Sequence, residues 1–288
     1  MKRRLRSLNG QTVVYGVIGD PVNHSLSPQI HEYFAELNGI NMAYLPFHVK
    51  DADLGTAING AHALQIQGIN ITIPHKQAVM PYLTAIDPIA QQVGAVNTLL
   101  WTEKGYVGYN TDYIGIQRTV ESANTSFKSK RVAVLGAGGS AYAACIAAAK
   151  GEAKHISIIN RSEENAVFLA SHVKSHYNIS VNPSLEDVYD IVIQTTSLGF
   201  GKYADRSTLD DLVKKSDFLN GVELVFDLIY HPKETLFMRQ AKEAGVPKVV
   251  GGFPMLVYQA AEAFKIWHSE AGLHEEIVEE LAERLHFN

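Results

Sequence analysis

The sequence predicts two α/β domains built on mainly parallel sheets. The chain has 288 residues, which exceeds the length of a typical single domain. Strand-like and helix-like segments alternate at the start of the chain, and this alternation predicts a parallel sheet. A polar stretch at 121–130 follows, and the alternation restarts at residue 131. We therefore expect a second parallel sheet in the second part of the chain.

The first predicted domain opens with a strand at 12–20, which is rich in β-branched residues. Ser27 followed by Pro28 predicts the start of a helix that ends at Gly39, and we assign the N-cap to Ser27. The remaining predicted segments are a strand at 43–49, a helix at 52–64, a strand at 66–74 and a hairpin over 95–110 that turns at Lys104–Gly105.

The second predicted domain begins with a strand at 131–136. Its further segments are a helix ending at Lys150, a strand at 155–160, a helix ending near Tyr177, and strands at 190–196 and 224–230. Two closing helices, at 254–272 and 275–287, are expected to return to the first domain. The predicted domains are therefore 1–115 plus 255–288, and 116–254, with an active-site cleft between them.

The composition excludes some classes of partner. A net charge of −5 with 19% charged residues gives no basic patch for nucleic acid or an anionic membrane. No segment has the roughly 20 apolar residues of a membrane span, and Lys2–Arg6 reads as a solvated tail. Cys145 is the single cysteine, so we expect a buried core residue and a cytoplasmic protein. No histidine or cysteine spacing predicts a metal site.

A glycine-rich turn predicts dinucleotide binding. Gly136, Gly138 and Ala141 form a G-x-G-x-x-A pattern directly after an apolar strand and at the start of a helix. Such a turn lets backbone amides approach a pyrophosphate, and the helix N-terminus adds partial positive charge. The second domain is therefore predicted to be of the Rossmann type. A purely structural turn is the alternative.

The end of the next strand bears on the choice of cofactor. NAD sites usually have an acidic residue there for the ribose 2′-hydroxyl, but this strand ends in Asn160, Arg161 and Ser162. Arg161 could hold a 2′-phosphate through charge-assisted hydrogen bonds. The sequence therefore favours NADP over NAD. A solvent-facing Arg161 is the alternative.

Two serines in the first domain suggest an anion site. Ser25 and Ser27 lie two residues apart just before a helix, and in an extended segment their side chains would point the same way. Two hydroxyls beside a helix N-terminus suit a carboxylate. Ordinary capping by Ser27 is the alternative reading.

The third strand carries a second polar group. By the period of two, Asn70 and Thr72 share one face, and Ile71 and Ile73 share the other, buried face. Lys76 then lies just past the carboxyl end of this strand, where open α/β sheets bind ligands. A surface lysine is the alternative.

Polar residues near the hairpin extend the predicted binding site. Asn97 occurs in "GAVNT", and Asn110 and Asp112 occur in "GYNTD". Together with the third strand, they supply amide, hydroxyl and charged groups that suit a polyhydroxylated small molecule.

The sequence resembles the shikimate dehydrogenase family over about 15–268. The segments that carry the resemblance, in the family's order, are "GDPVNHSLSPQIH", "NITIPHK", "GAVNT", "NTD", "GAGGSA", "NRS" and "PMLVYQAAEAF". The resemblance implies reversible hydride transfer between NADPH and the C3 carbonyl of 3-dehydroshikimate, within the biosynthesis of chorismate and aromatic amino acids. We expect a monomer or homodimer, and the sequence does not decide between them.

The resemblance also implies a role for each matching position. Lys76 and Asp112 resemble the catalytic acid–base pair. The implied substrate residues are Ser25, Ser27, Asn70, Thr72, Lys76, Asn97, Asp112, Tyr230 and Gln259. The implied cofactor residues are Gly136, Ala137, Gly138, Gly139, Ser140, Asn160, Arg161, Ser162, Thr195, Thr196, Ser197, Leu228 and Gly252.

The sequence departs from the family pattern at three places. Ser162 stands where threonine is common, Asn165 where a second basic residue is frequent, and "GGFPML" where "DGLGML" is commoner. An NAD-preferring quinate/shikimate dehydrogenase therefore stays open as an alternative. A non-catalytic dinucleotide-binding sensor is a more distant one, because both Lys76 and Asp112 are present.

Overall fold

The structure is a computed structural model that describes residues 8–178, 180–182, 188–214, 217–274 and 276–285. The tail predicted at Lys2–Arg6 lies outside these residues. The chain divides into two compact units. The first comprises the described residues of 1–91, 95–111 and 260–275, and the second those of 92–94, 112–259 and 276–288.

The sequence-based domain boundaries stay a prediction, and the compact units differ from them at several places. The prediction placed 1–115 and all of 255–288 in the first domain, whereas the second unit includes 92–94, 112–115, 255–259 and the described residues of 276–288. Val278 lines a cavity together with Val249 and Gly252, so the last helix packs against the second unit.

The first unit contains a mixed sheet with helices packed on it. Its elements are β1 (Val13–Gly19), α1 (Ser27–Leu37), β2 (Met42–His48), α2 (Leu54–Ala63), β3 (Gly68–Ile71), β4 (Ala85–Ile86), α3 (Pro88–Val93, whose last two residues belong to the second unit), β5 (Thr98–Thr102) and β6 (Gly105–Tyr109), with 3-10 turns at Asp51–Asp53 and Met80–Tyr82. The strand order is β2-β1-β3-β5-β6-β4. β1 pairs in parallel with β2 and β3, whereas β5 is antiparallel to both β3 and β6.

The second unit is built on a fully parallel sheet. Its elements are α4 (Asp112–Ser122), β7 (Arg131–Leu135), α5 (Gly139–Lys150), β8 (His155–Ile159), α6 (Glu163–His176), β9 (Ser180–Asn182), β10 (Ile191–Gln194), β11 (Leu224–Asp227), α7 (Leu236–Glu243), β12 (Lys248–Val250), α8 (Phe253–Trp267, whose last part belongs to the first unit) and α9 (Ile277–Arg284), with short turns at Gly201–Tyr203 and Leu209–Val213. The order β9-β8-β7-β10-β11-β12 is that of a doubly wound Rossmann sheet.

The predicted fold class is confirmed, and most predicted elements lie within two or three residues of their expected bounds. The hairpin turns at Glu103–Lys104, one residue earlier than predicted, and Gly105 begins β6. Cys145 is fully buried on α5, as predicted, and burial raises the pKa of its thiol well above the usual range.

The assignment of Ser27 as N-cap was wrong. The backbone already turns at Leu26, which is the N-cap, and Ser27 is the first helical residue. The segment around the two serines is therefore not extended, contrary to the prediction. Ser25 instead serves the helix start, because its Oγ accepts a hydrogen bond from the Ser27 amide at 3.2 Å.

Among the described residues, no helix has both the length and the apolar character needed to cross a membrane. No three side chains of the types that ligate metals cluster within the same described ranges.

Candidate active site

The predicted substrate residues of the first unit gather at one edge of its sheet. β1 and β3 are parallel neighbours, so the loop carrying Ser25 and Ser27 and the segment carrying Thr72 and Lys76 leave the sheet at the same edge. β5 runs antiparallel to β3, so its start, next to Asn97, lies at that edge as well. A polar rim at the carboxyl ends of parallel strands is a typical ligand site.

Gly19, the last residue of β1, allows two of these segments to meet. A Cβ at this position would lie 2.5 Å from Thr72 Cγ2, so the close approach needs glycine. Backbone bonds then join the segments, from the Thr72 amide to the Ile18 carbonyl at 2.9 Å and from the Asp20 amide to the Ile73 carbonyl at 3.0 Å. The two loops are therefore held together beyond the strands themselves.

The backbone of Lys76 is fixed from two directions. Its carbonyl accepts a hydrogen bond from the Val96 amide at 2.8 Å. The neighbouring His75 is buried, with its Nε2 2.7 Å from the Val49 carbonyl and its Nδ1 3.1 Å from Asp51 Oδ1. The Lys76 side chain itself is half-buried. The backbone that carries Lys76 is therefore held firmly at this edge of the sheet.

The predicted division of the third strand into polar and buried faces was wrong. β3 ends at Ile71, and all of its residues are buried, including Asn70. Ile73 is 69% exposed, although it was expected on the buried face. The period of two holds only within a strand, and β3 stops before Thr72.

Asn70 and Asn97 belong to one buried hydrogen-bond network. Asn70 Nδ2 donates to the Asn97 carbonyl and to Thr98 Oγ1, both at 3.1 Å. Thr98 Oγ1 donates to Asn97 Oδ1 at 3.0 Å, and Asn97 Nδ2 donates to Thr111 Oγ1 at 3.0 Å. Asn97 Oδ1 also accepts from the Thr111 amide at 2.8 Å. Buried amides satisfied in this way are held in one orientation.

The predicted cofactor residues of the second unit also gather at one sheet edge. Segments following β7, β8, β10 and β11 contain all of them except Gly252, and parallel strands bring their carboxyl ends together. The edge includes the point between β7 and β10 where the strand order reverses. Dinucleotides bind at this point in doubly wound sheets.

The glycine turn has the geometry that the motif predicts. Gly136 has φ of +116°, and a Cβ there would lie 2.5 Å from Thr195 Oγ1. Gly138 is the N-cap of α5, and neither Gly138 nor Gly139 has a neighbour within 4 Å of a Cβ position. The turn therefore combines a tight bend with open space over a helix N-terminus, which fits a pyrophosphate group.

We expect Gly136→Ala to lower the free energy of unfolding by at least about 1–3 kcal/mol, because alanine tolerates neither this φ nor the contact with Thr195. Chemical denaturation measures the effect. Gly60→Ala is the matched control, since Gly60 lies within α2 with nothing near its Cβ position. That control should gain about 0.5–1 kcal/mol from helix propensity. Equal stabilities of the two variants would contradict the conclusion that position 136 requires glycine.

The end of β8 carries no acidic residue before α6. Asn160 Nδ2 donates to the Ser162 carbonyl at 3.0 Å, and Ser162 is the N-cap of α6, its Oγ accepting from the Asn165 amide at 3.4 Å. Arg161 is exposed between them. The loop is thus ordered by its own polar residues and presents a guanidinium, which suits a phosphate better than a ribose hydroxyl pair.

A buried carboxylate supports two of the predicted cofactor loops. Asp227, at the end of β11, accepts hydrogen bonds from the Ile229 amide at 3.0 Å, the Thr235 hydroxyl at 2.6 Å and Gln194 Nε2 at 3.3 Å. Gln194 in turn donates to the Leu198 carbonyl at 2.9 Å and accepts from the Thr196 amide. The loops after β10 and β11 therefore share one anchor.

Burial raises the pKa of Asp227 to about 6, although its hydrogen bonds act in the opposite direction. The folded state therefore binds a proton at a higher pH than the unfolded state. Relative to Asp227→Asn, we expect wild-type stability to rise as the pH falls from about 6 to about 4. Folding raises the pKa of Asp227 by about two units, and each unit corresponds to about 1.4 kcal/mol. The gain in wild-type stability relative to Asp227→Asn is therefore at most about 3 kcal/mol.

Denaturation of wild type and Asp227→Asn between pH 4 and 7 tests this expectation, with the exposed Asp205→Asn as control. Parallel stability curves for wild type and Asp227→Asn would contradict it.

Tyr230 and Gly252 line one cavity of about 480 Å³ in the second unit, together with Phe253, Pro254 and Val278. A Cβ on Gly252 would collide with the Leu228 carbonyl, so glycine is required there. Burial raises the pKa of the Tyr230 phenol. Pro254 is the second residue of α8 and suits the start of a helix.

Asp112 and Gln259 also belong to the second unit. Asp112 is buried as the first residue of α4, where a carboxylate interacts favourably with the helix dipole. Gln259 is buried on α8, and its Nε2 donates to the Leu256 carbonyl at 2.8 Å. A Cβ on Gly115 would lie 3.0 Å from Gln259 Cβ, so α4 and α8 are close at this point.

Sequence reasoning missed several buried polar residues beside the predicted ligand-binding edges, three in the first unit and two in the second: Tyr44, Thr98, Thr111, Gln194 and Asp227. Thr98 and Thr111 stand inside motifs that were already recognised, and Gln194 and Asp227 end apolar strands. A polar residue within an apolar strand is a usable signal, because such residues are seldom buried without a partner. Tyr44 gives no comparable signal, since tyrosine is common in strands.

A doubly wound unit with a glycine turn, and a second α/β unit with a lysine at its polar edge, define the class of two-domain dehydrogenases that use a dinucleotide. Comparison with known proteins identifies the family. The sequence model described as "Shikimate dehydrogenase substrate binding domain" matches residues 17–99, and that described as "Shikimate / quinate 5-dehydrogenase" matches 118–230. The chain belongs to the shikimate dehydrogenase family, and it is an oxidoreductase of that family.

Individual relatives agree over nearly the whole chain. The shikimate dehydrogenase (NADP(+)) of Methanococcus aeolicus is 39% identical over 270 residues, covering 90% of this chain and 93% of its own. A crystal structure of a shikimate dehydrogenase in complex with NADP+ has a TM-score of 0.87 at 36% identity, covering 96% of this chain and 97% of its own. The Thermus thermophilus enzyme, in complex with NADP(H) and shikimate, has a TM-score of 0.83 at 30% identity, covering 95% and 99%.

Proposed function

We propose that this protein is an NADP-dependent shikimate dehydrogenase that interconverts 3-dehydroshikimate and shikimate. The observation that carries the proposal is the polar edge of the first unit. There, Ser25, Ser27, Thr72 and Lys76 follow two parallel neighbouring strands, and Asn97 stands at the same edge. This set offers hydroxyls for a carboxylate, amides for ring hydroxyls, and one ammonium group.

The proposed substrate residues are Ser25, Ser27, Asn70, Thr72, Lys76, Asn97, Asp112, Tyr230 and Gln259. NADP is the proposed cofactor, held by the residues after β7, β8, β10 and β11 and by Gly252. Open space above Gly138 and Gly139 and the exposed Arg161 fit a dinucleotide with a 2′-phosphate. The NADP-dependent relatives support the same choice.

Lys76 is the proposed proton donor. When bound, the reduced cofactor supplies the hydride that converts the substrate's C3 carbonyl to an alcohol. The carbonyl oxygen gains negative charge during this step, and Lys76 Nζ holds the proton that neutralises it. In the oxidation direction, Lys76 takes the proton of the C3 hydroxyl. Asp112 completes the proposed acid–base pair.

The direction of reduction in the cell, and a place in chorismate and aromatic amino acid biosynthesis, are part of the proposal. So is a cytoplasmic location, for which the single buried thiol of Cys145 is the support.

An assay of two substrates with two cofactors tests the function. Shikimate or quinate is offered with NADP⁺ or NAD⁺, and absorbance at 340 nm follows the reduced cofactor. We expect the highest kcat/KM for shikimate with NADP⁺. Preference for NAD⁺ or quinate would favour the quinate/shikimate alternative. If folded protein gives no change in absorbance with any of these combinations, the alternative of a non-catalytic dinucleotide-binding sensor is favoured.

A further inference from the structure

The hydroxyl of Thr98 joins the side chains of two residues of the proposed substrate site, Asn70 and Asn97. Thr98 Oγ1 lies 3.1 Å from Asn70 Nδ2 and 3.0 Å from Asn97 Oδ1. All three residues belong to the first unit and are buried, and Thr98, the first residue of β5, has no exposed surface at all. Thr98 can therefore affect a bound substrate only through its neighbours.

Backbone groups decide which way round each amide lies. The Asn97 carbonyl can only accept, so the group of Asn70 that faces it, at 3.1 Å, is Nδ2. The Thr111 backbone amide can only donate, so the atom of the Asn97 side chain that faces it, at 2.8 Å, is Oδ1. Thr98 consequently has a donor on one side and an acceptor on the other. Its hydroxyl accepts from Asn70 Nδ2 and gives its single proton to Asn97 Oδ1.

The other side-chain bonds of the two amides differ from the bonds to Thr98. The Tyr44 hydroxyl donates to Asn70 Oδ1 at 2.7 Å, and Asn97 Nδ2 donates to Thr111 Oγ1 at 3.0 Å. Each of these bonds holds one asparagine alone. Thr98 bonds to both, so the loss of its hydroxyl would loosen both amides and would remove the link between them.

We propose that Thr98 is a positioning residue that holds the Asn70 and Asn97 amides in the arrangement that the substrate ring requires. This inference rests on the proposed function, in which both amides meet ring hydroxyls. Amides that are already in place before binding do not have to be ordered by the substrate, so their bonds to it contribute fully to affinity. Removal of the Thr98 hydroxyl should therefore weaken substrate binding, whereas the proposed cofactor residues, all in the second unit, should be unaffected.

Two substitutions separate the hydroxyl of Thr98 from its shape. Thr98→Val keeps nearly the same shape and removes both bonds, whereas Thr98→Ser keeps the hydroxyl. We expect Thr98→Val to raise the dissociation constant of shikimate, measured by calorimetry, by about 5–50-fold, because one net hydrogen bond contributes a factor of roughly 2–12 and two are lost. Thr98→Ser should stay within about threefold of wild type. The KM for NADP⁺ at saturating shikimate should be unchanged in both variants.

Tyr106, on the neighbouring strand β6, provides the matched control. Its buried hydroxyl donates to the Ile66 carbonyl at 2.7 Å, so Tyr106→Phe also removes a buried hydroxyl bond from the first unit. This control should lose stability in thermal unfolding but bind shikimate as wild type does. If Thr98→Val does not fold, Thr98→Ala takes its place with the same expected result, because the smaller side chain cannot collide with either amide.

A double-mutant cycle tests whether Thr98 acts through the asparagines. In the Asn70→Ala background, Thr98→Val should raise the dissociation constant of shikimate by a smaller factor than in wild type, since one of the two partners of Thr98 is absent. An equal factor in both backgrounds would mean that Thr98 acts without Asn70, and the inference would be wrong.

Three further results would overturn the inference: unchanged shikimate binding in Thr98→Val, equally weak binding in Thr98→Ser, or an equal loss of binding in Tyr106→Phe. A rise in the KM for NADP⁺ that matches the loss of shikimate binding would do the same. Failure of the proposed function gives a different result, since wild type would then show no shikimate-dependent reduction of NADP⁺, and both proposals would fall together. A wild type that is active on shikimate, with binding constants outside the expected order, removes this inference alone.

Discussion

Lys76→Ala is expected to reduce turnover of shikimate by about 10²–10⁴-fold, the usual contribution of a positioned acid or base. The substrate KM should change much less, because the ammonium group matters most when charge develops on the C3 oxygen. The backbone bond from the Val96 amide to the Lys76 carbonyl does not depend on the side chain, and the buried His75 stays in place. The segment should therefore keep its conformation in the variant.

Steady-state kinetics in the oxidation direction measure this effect, and thermal unfolding checks the fold. Lys104→Ala is the control, since Lys104 is an exposed lysine in the hairpin turn of the same unit. Lys76→Met, which keeps the aliphatic stem, should behave like Lys76→Ala. If turnover falls less than about threefold in both variants, Lys76 is not the acid–base group.

Arg161→Ala is expected to raise the KM for NADP⁺ by about 10–100-fold while leaving the KM for NAD⁺ nearly unchanged. A hydrogen bond between charged groups is worth about 1.5–3 kcal/mol, and NAD⁺ lacks the 2′-phosphate that forms it. The change should not disturb α6, because the bond from the Asn165 amide to Ser162 Oγ caps this helix.

Kinetics with both cofactors at saturating shikimate separate the two values. Arg239→Ala, which removes an exposed arginine on α7, controls for a general loss of positive charge. If the KM values for NADP⁺ and for NAD⁺ rise equally in Arg161→Ala, Arg161 does not bind the 2′-phosphate.

Much of the fold could be predicted because its signals are local. The strand, turn and helix around Gly136 and Gly138 follow from neighbouring residues, and the restart of the alternation at residue 131 separated the two sheets. Lys76 was recognised as a candidate site residue because a lysine directly after an apolar strand is seldom buried without a partner. Its location at a sheet edge required only that β1 and β3 be parallel, as predicted.

Errors arose where the hydrogen bonds of the folded chain differ from those that the pattern of residue types predicts. Ser27 has the residue type and position of an N-cap, but the chain turns one residue earlier and Ser25 takes the local hydrogen bond. Ile73 fits the alternation of a strand, but pairing between β3 and β5 ends before it, and its side chain is exposed.

By itself, the sequence determined the two α/β sheets, the glycine turn, and the polar residues that follow particular strands. These properties depend on periodicity and on residues adjacent in the chain, so they can be predicted without knowing which distant residues are in contact. Only the tertiary structure decided that the Tyr44 hydroxyl donates to Asn70, and that Asp227 anchors the loops after β10 and β11. Such links join residues distant in sequence, and the direction of each hydrogen bond is fixed only when every donor and acceptor around it is known.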